Sequence, residues 1–72
     1  MKPGIYRHSK KGTLYKLHLI AKHSETLEDM VVYEALYDNA EFKFWVRPAS
    51  MWSELIEING QTVPRFVWVR ES

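Results

Sequence analysis

The sequence predicts a mainly β protein, a small partly open barrel or roll of five to six short antiparallel strands. In several separate runs, apolar and polar residues alternate with the period of two that is typical of strands. Asn59 and Gly60 supply the two residues with positive φ that a tight hairpin turn requires. We expect a barrel or roll because this arrangement hides strand edges in a short chain.

Length and composition limit the classes of function. The 72 residues make one domain (1–72), and a chain of this size buries only about 60% of the surface that it exposes when unfolded. With 46% hydrophobic and 14% aromatic residues, the sequence lies outside the disordered range. The absence of cysteine excludes disulfides and thiolate metal sites, and no apolar run approaches the roughly 18 residues of a membrane span. We therefore expect a soluble cytoplasmic protein with no membrane partner.

Two alternating runs, residues 13–22 and 30–37, predict the first hairpin. Their apolar faces carry Tyr15, Leu17, Leu19 and Ala21 in the first run and Val31, Tyr33, Ala35 and Tyr37 in the second. Antiparallel pairing of Leu17 with Tyr33 keeps both apolar faces on one side of the sheet. The same register sets Lys16 opposite Glu34 and Leu19 opposite Val31. A slip by one residue is excluded, whereas a slip by two, which places His18 opposite Glu34, stays open.

The run 42–47 predicts a third strand that Pro48 ends, because proline cannot donate to the sheet. The apolar residues of this run define its predicted core face, which carries Phe42, Phe44 and Val46. Trp45 then lies on the opposite face. Ser50 is expected to cap a 3₁₀ or single helical turn near residues 50–53.

The turn at Asn59 and Gly60 predicts a second hairpin. Its register pairs Ile58 with Gln61, Ile56 with Val63, and Glu54 with Arg65. This register combines an apolar contact with a cross-strand ion pair. A last strand over residues 66–69 is expected to pair with residues 4–8.

Charge is segregated along the chain although its net value is only +1. Residues 1–23 carry six Lys or Arg and no acid, and residues 24–41 carry six Asp or Glu and no base. If these segments pair as antiparallel strands, the opposite charges face each other and stabilise the sheet. The alternative is a nucleic-acid footprint on the basic segment.

Six ordered motifs resemble a small bacterial family. They are residues 4–8, 11–12, 21–26, 32–37, 45–48 and 63–66. Together they are similar to the domain-of-unknown-function family numbered 1653, over about residues 4–66. The resemblance implies a compact SH3-like β-barrel, found alone or as a module, with no assigned activity and no catalytic residues. Trp52 stands where we expect Phe in this family, and residues 38–43 resemble an insertion, so both could reshape a pocket.

Enzymatic and metal chemistry find little support in the sequence. His23, Ser24 and Glu25 are the residue types of a hydrolase triad, but consecutive residues point apart and cannot form its chain of contacts. A small hydrolase-like enzyme that uses His23 and Glu25 is therefore only a second alternative, without a positioned nucleophile. His8, His18 and His23 lack the spacing of metal ligands, and no cofactor is predicted.

The leading hypothesis is a non-enzymatic binding module for a small polar ligand or a peptide segment. Arg47 and Arg65 each offer a planar fork to a carboxylate or phosphate. Trp45, off the predicted core face, is the expected stacking platform, unless it packs within the protein. The predicted ligand-binding residues are Tyr6, His23, Glu25, Tyr33, Trp45, Arg47 and Arg65.

RNA or single-stranded DNA is the alternative ligand. In this hypothesis, Trp45 or Tyr6 stacks on bases, and the backbone phosphates contact the basic segment. The lysines predicted to follow the phosphates are Lys10, Lys11, Lys16 and Lys22. With either ligand, the protein is expected to be a monomer or a weak homodimer.

Overall fold

The fold is mainly β, as predicted, in a computed structural model that describes residues 1–38 and 41–72. Its strands are β1 (Gly4–His8), β2 (Leu14–Lys22), β3 (Asp29–Ala35), β4 (Phe44–Pro48), β5 (Leu55–Ile58), β6 (Gln61–Pro64) and β7 (Phe66–Arg70), with one helical turn, α1 (Ala49–Trp52). The seven strands in these ranges exceed the predicted five to six. They form two antiparallel sheets, which do not close into a barrel. The larger sheet has the order β4-β3-β2-β1-β7, and β5 pairs with β6. No helix in the described ranges is long and apolar enough to cross a membrane.

The first hairpin forms with one correction to its register. Its predicted pairs are confirmed at one end, Lys16 with Glu34 and Leu17 with Tyr33. A bulge at His18 then inserts one residue into β2, so that Leu19 pairs with Val32 and not with Val31. A shift by one residue moves a side chain to the other face. Leu19 is consequently 50% exposed instead of lying in the core.

The core lies on one face of the larger sheet and is dominated by aromatic rings. Its buried residues are Tyr6, Tyr15, Leu17, Val31, Tyr33, Ala35, Trp52 and Phe66. Trp52 stacks on Phe66 with ring centroids 3.8 Å apart, and Tyr6 and Tyr33 meet Trp52 edge-on at 5.3 and 5.0 Å. Such aromatic pairs contribute about 0.5–1.5 kcal/mol each beyond the area they bury. Trp52 thereby ties α1 to the sheet.

Strand β4 presents the opposite faces from those predicted. Trp45 pairs with Tyr33, and Arg47 lies on the same core side two residues further along. The residues predicted for the core are all more than half exposed, namely Phe42, Phe44 and Val46. The prediction ranked the two faces by hydrophobicity, but the pairing register decides which face of an edge strand meets the core.

The helical turn α1 is confirmed, but its predicted cap is wrong. The turn begins at Ala49 with Pro48 in the N-cap position, and Ser50 lies inside it without a capping hydrogen bond. Pro48 ends the strand with φ −54° and ψ 137°, so the N-cap lies two residues before the predicted Ser50. Ser53 Oγ donates to the Ala49 carbonyl at 3.1 Å and closes the turn.

The second hairpin and its predicted ion pair are present, whereas Glu34, which lies opposite Lys16, is bonded to His18 Nε2 at 2.8 Å instead. Asn59 and Gly60 have φ values of 52° and 78°, and the turn joins β5 to β6 in the predicted register. Arg65 Nη2 lies 2.5 Å from Glu54 Oε1. The acidic and basic segments also face each other across β2 and β3, where Lys22 Nζ lies 2.6 Å from Asp29 Oδ1.

Candidate functional site

A cavity of about 260 Å³ lies beside the core, where the β1–β2 turn approaches β4. Its lining combines four aromatic rings with two cations, and consists of Lys11, Tyr15, Tyr33, Tyr37, Trp45 and Arg47. Aromatic walls with a few polar groups are typical of small-ligand sites.

The pairing register of three strands brings the rings together. Tyr15 pairs with Ala35 in β3, so it lies between Tyr33 and Tyr37 on the same face. The Tyr15 ring centroid is 5.7 Å from that of Tyr33 and 5.7 Å from that of Tyr37. Trp45 joins them because β4 pairs it directly with Tyr33.

Arg47 is the central cation of the cavity. Its Cζ lies 5.9 Å from the Tyr33 ring centroid and 5.4 Å from that of Phe66, so two aromatic faces support the guanidinium. Among residues 1–38 and 41–72, the guanidinium forms no salt bridge. Its fork of N–H donors is therefore available to a carboxylate or phosphate.

Trp45 presents a ring rather than a donor to the cavity. Its Nε1 donates to the Phe42 carbonyl at 2.9 Å, and the Phe42 ring meets it edge-on at 5.7 Å. The side chain is 39% exposed. The indole N–H is thus occupied, and stacking is the contact that this residue can offer.

Lys11 reaches the cavity on a turn that His8 organises. His8 Nδ1 accepts the backbone N–H groups of Lys10 and Lys11, both at 3.2 Å. The His8 carbonyl accepts the Gly12 N–H at 2.8 Å, and the His8 ring packs edge-on against Phe66 at 5.1 Å. A buried imidazole therefore fixes the backbone of Lys11 relative to the core.

The electrostatic potential around this turn is positive. Burial lowers the pKa of His8 below its ordinary 6.5, and the nearby charges of Lys11, Arg65, Arg47 and Lys10 lower it further. Arg65 is offset by its ion pair with Glu54. The field that disfavours a protonated imidazole equally favours an anion bound nearby.

The tyrosine hydroxyls add hydrogen-bonding groups to the lining. Thr13 Oγ1 donates to the Tyr15 hydroxyl at 3.0 Å. A hydrogen bond with Tyr15 raises the pKa of Tyr37, and the charge that Tyr15 would carry raises it further. Like any phenol below its pKa, Tyr37 is protonated at neutral pH, and its hydroxyl is able to donate a hydrogen bond.

The structure separates the seven predicted ligand-binding residues. Tyr33, Trp45 and Arg47 line the cavity together. Tyr6 is buried in the core, where its hydroxyl donates to the Lys2 carbonyl at 2.8 Å. Arg65 is engaged with Glu54, as the register of the second hairpin predicted.

His23 and Glu25 lie at the other end of the hairpin. The loop that carries them follows Lys22, which pairs with Asp29, four residues before Tyr33. At about 3.3 Å per residue, that separation is roughly 13 Å along the strand. His23 Nδ1 accepts the backbone N–H groups of Glu25 and Thr26 at 3.1 and 3.3 Å, so the imidazole organises its own loop.

The four lysines of the nucleic-acid hypothesis lie at different places. Lys10 and Lys11 share the β1–β2 turn. Lys16 lies opposite Glu34 on the outer face of the sheet without a salt bridge to it, and Lys22 is engaged with Asp29. Only Lys11 lines the cavity.

Tyr15, Tyr37 and His8 were missed as site residues. The predicted register and the period of two already placed Tyr15 between Tyr33 and Tyr37, so the signal for the tyrosine wall was present. No sequence pattern distinguishes the role of His8 from that of an ordinary strand residue.

Over the ranges that the structure describes, no group of three or more His, Cys, Asp or Glu could hold a metal ion.

Comparisons with known proteins identify the family. The family described as a protein of unknown function, DUF1653, matches residues 4–70. A crystal structure of a protein belonging to DUF1653 from Bordetella bronchiseptica is 35% identical, with a TM-score of 0.90, and the match covers 100% of this chain and 91% of that chain. No curated protein matches significantly. Since the match spans nearly the whole chain, this protein belongs to the DUF1653 family.

Proposed function

We propose that this protein is a non-enzymatic binding module whose cavity takes a small ligand with an anionic group beside a planar apolar group. One observation carries the proposal: Arg47 and Lys11 both line an aromatic cavity, and neither forms a salt bridge within the described part of the chain. Cations held together without an acid repel each other, and a bound anion relieves that repulsion.

The two cations have different tasks. Arg47 offers a planar fork that binds a carboxylate or phosphate through two parallel hydrogen bonds. Its contacts with Tyr33 and Phe66 hold the guanidinium in place, which lowers the entropy lost on binding. Lys11 adds a point charge on a flexible side chain, and the His8 turn holds the backbone of that residue beside the cavity.

The size of the cavity limits the ligand. About 260 Å³ lies just below the range of roughly 300–1,000 Å³ that is typical of ligand pockets. It suits one ring with a carboxylate or phosphate, or the terminal group of a larger molecule. Trp45 and the tyrosines supply the faces on which such a ring stacks.

The lining favours binding over catalysis. It contains no carboxylate, thiol or imidazole within the described residues, and its hydroxyls are phenolic. The nearby imidazole of His8 uses Nδ1 to accept two backbone N–H groups, so it is not positioned as a general base.

The proposal is tested by amide chemical-shift titration with benzoate, phenyl phosphate, uncharged benzyl alcohol and a mixed oligonucleotide. The two anions are expected to shift amides of Lys11, Tyr33 and Trp45, and the alcohol to shift them far less. Arg47→Gln should weaken anion binding by about tenfold or more, because a charge-assisted bidentate contact is lost. Arg70→Gln, an exposed arginine away from the cavity, is the matched control.

Three results would contradict the proposal. The anions could shift amides elsewhere, the alcohol could bind as well as benzoate, or Arg47→Gln could bind like the wild type. Strong, salt-dependent shifts with the oligonucleotide that spread over Lys10, Lys16 and Lys22 would favour the nucleic-acid alternative instead.

A further inference from the structure

The outer edge of β4 is an open template for another strand. No part of the described chain pairs with this edge. The Ala35 N–H donates to the Lys43 carbonyl at 2.8 Å, so the alternation of antiparallel ladders directs the polar groups of Trp45 and Arg47 toward β3. The N–H and C=O groups of Phe44 and Val46 consequently point outward.

The side chains at this edge are exposed to solvent, and its backbone groups are unpaired within the described chain. Phe44 is 61% and Val46 is 62% exposed on the outer face of the sheet. Natural proteins usually protect an edge with charges, proline, bulges or a covering segment. In β4 the proline comes last, Arg47 before it lies on the core side, and the first three residues are the apolar run Phe44, Trp45 and Val46.

We propose that β4 pairs with β4 of a second copy of this chain, antiparallel and centred on Val46. In this register, each Val46 N–H donates to the Val46 carbonyl of the other copy. Each Phe44 N–H likewise donates to the Pro48 carbonyl of the other copy. Pro48 has no N–H to offer, so the Phe44 carbonyl is left to water. The result is a two-fold symmetric dimer with one continuous sheet.

The register is self-complementary on both faces. On the outer face, Leu19, Val32 and Val46 form one cross-strand row, which continues into the same row of the second copy, and each Phe44 ring meets a Pro48 ring. On the core side, Trp45 of one copy lies opposite Arg47 of the other, a cation opposite an aromatic ring. No like charges oppose each other within the paired strands. This complementarity favours a second copy over an unrelated strand and does not depend on the proposed ligand.

The mass in solution tests the pairing. Light scattering after size exclusion should show wild-type mass rising from monomer to dimer between micromolar and millimolar concentrations. Val46→Lys places two ammonium groups opposite each other on the symmetry axis, and should raise the dissociation constant by at least about tenfold. Leu55→Lys is the matched control, because Leu55 is 60% exposed but lies in β5. Circular dichroism verifies that both variants fold.

A charge-swapped mixture completes the test. Val46→Glu mixed with Val46→Lys should form a heterodimer, while each variant alone stays largely monomeric. The proposal is overturned if the wild type remains a monomer at millimolar concentration, or if Val46→Lys dimerises as the wild type does. It is also overturned if Leu55→Lys disrupts the dimer as strongly as Val46→Lys.

Discussion

Two loops of this fold use the same device in different surroundings. The β1–β2 turn begins at His8 and the β2–β3 loop at His23, and each imidazole Nδ1 accepts backbone N–H groups from the residues two and three positions later. His8 is only 5% exposed and packs on Phe66, next to the cavity. His23 is half-buried at the far end of the hairpin.

The two loops share their local hydrogen bonds but differ in their contacts with the rest of the molecule. Both loops form by the same local hydrogen bonds, so both histidines organise backbone. Only His8 also packs on the core, and only its loop carries a residue that lines the cavity, Lys11. A change at His8 should therefore affect the whole molecule, and a change at His23 should affect its loop.

The largest expected effect is the loss of the His8 side chain. His8→Ala removes a buried ring and the acceptor of two backbone N–H groups, and should lower the free energy of unfolding by about 2–4 kcal/mol. His23→Ala removes the equivalent acceptor where water can replace it, and should cost about 1 kcal/mol or less. Urea denaturation measures both variants. Equal losses would show that burial does not distinguish the two loops.

Acid should destabilise the protein through His8. Its pKa is lowered in the folded state, so the unfolded state takes up a proton at a higher pH than the folded state does. The stability is complete above the ordinary pKa of 6.5 and decreases as the pH falls below it. Protonation would also remove the Nδ1 acceptor of the turn.

The pH dependence is measured as the urea midpoint from about pH 8 to about pH 5, the range in which histidine titrates. His8→Asn should reduce the loss of stability on acidification relative to the wild type. His23→Asn is the control and should keep the wild-type slope. If His8→Asn and the wild type lose stability in parallel, another group is responsible.

The parts of the fold that could be predicted from the sequence are those that local signals determine. The period of two and the turn at Asn59 and Gly60 are local signals, and the strands, the first pairs of the first hairpin and the second hairpin all follow from them. The bulge at His18 and the faces of β4 follow from tertiary pairing, which local alternation does not encode. Leu19 was misplaced for the first reason and Val46 for the second.

The candidate site was predicted only in part for the same physical reason. Tyr33, Trp45 and Arg47 were selected for their chemistry, and pairing of adjacent strands brings them together. His23 and Glu25 were selected because they were polar residues in a loop, and an imidazole that bonds its own backbone looks the same in sequence as one that binds a ligand.

Smaller effects than at His8 are expected at the left-handed residues of the two loops, Gly12 with φ 75° and Leu27 with φ 62°. A Cβ at Gly12 would meet nothing within 4 Å, so Gly12→Ala tests backbone strain alone and should cost about 1–2 kcal/mol.

Leu27 is exposed and already bears such strain, which asparagine tolerates better. Leu27→Asn should therefore raise the free energy of unfolding by about 0.5–1 kcal/mol. Urea denaturation should show opposite signs, and a destabilised Leu27→Asn would mean that the leucine side chain makes a contact that outweighs its backbone strain.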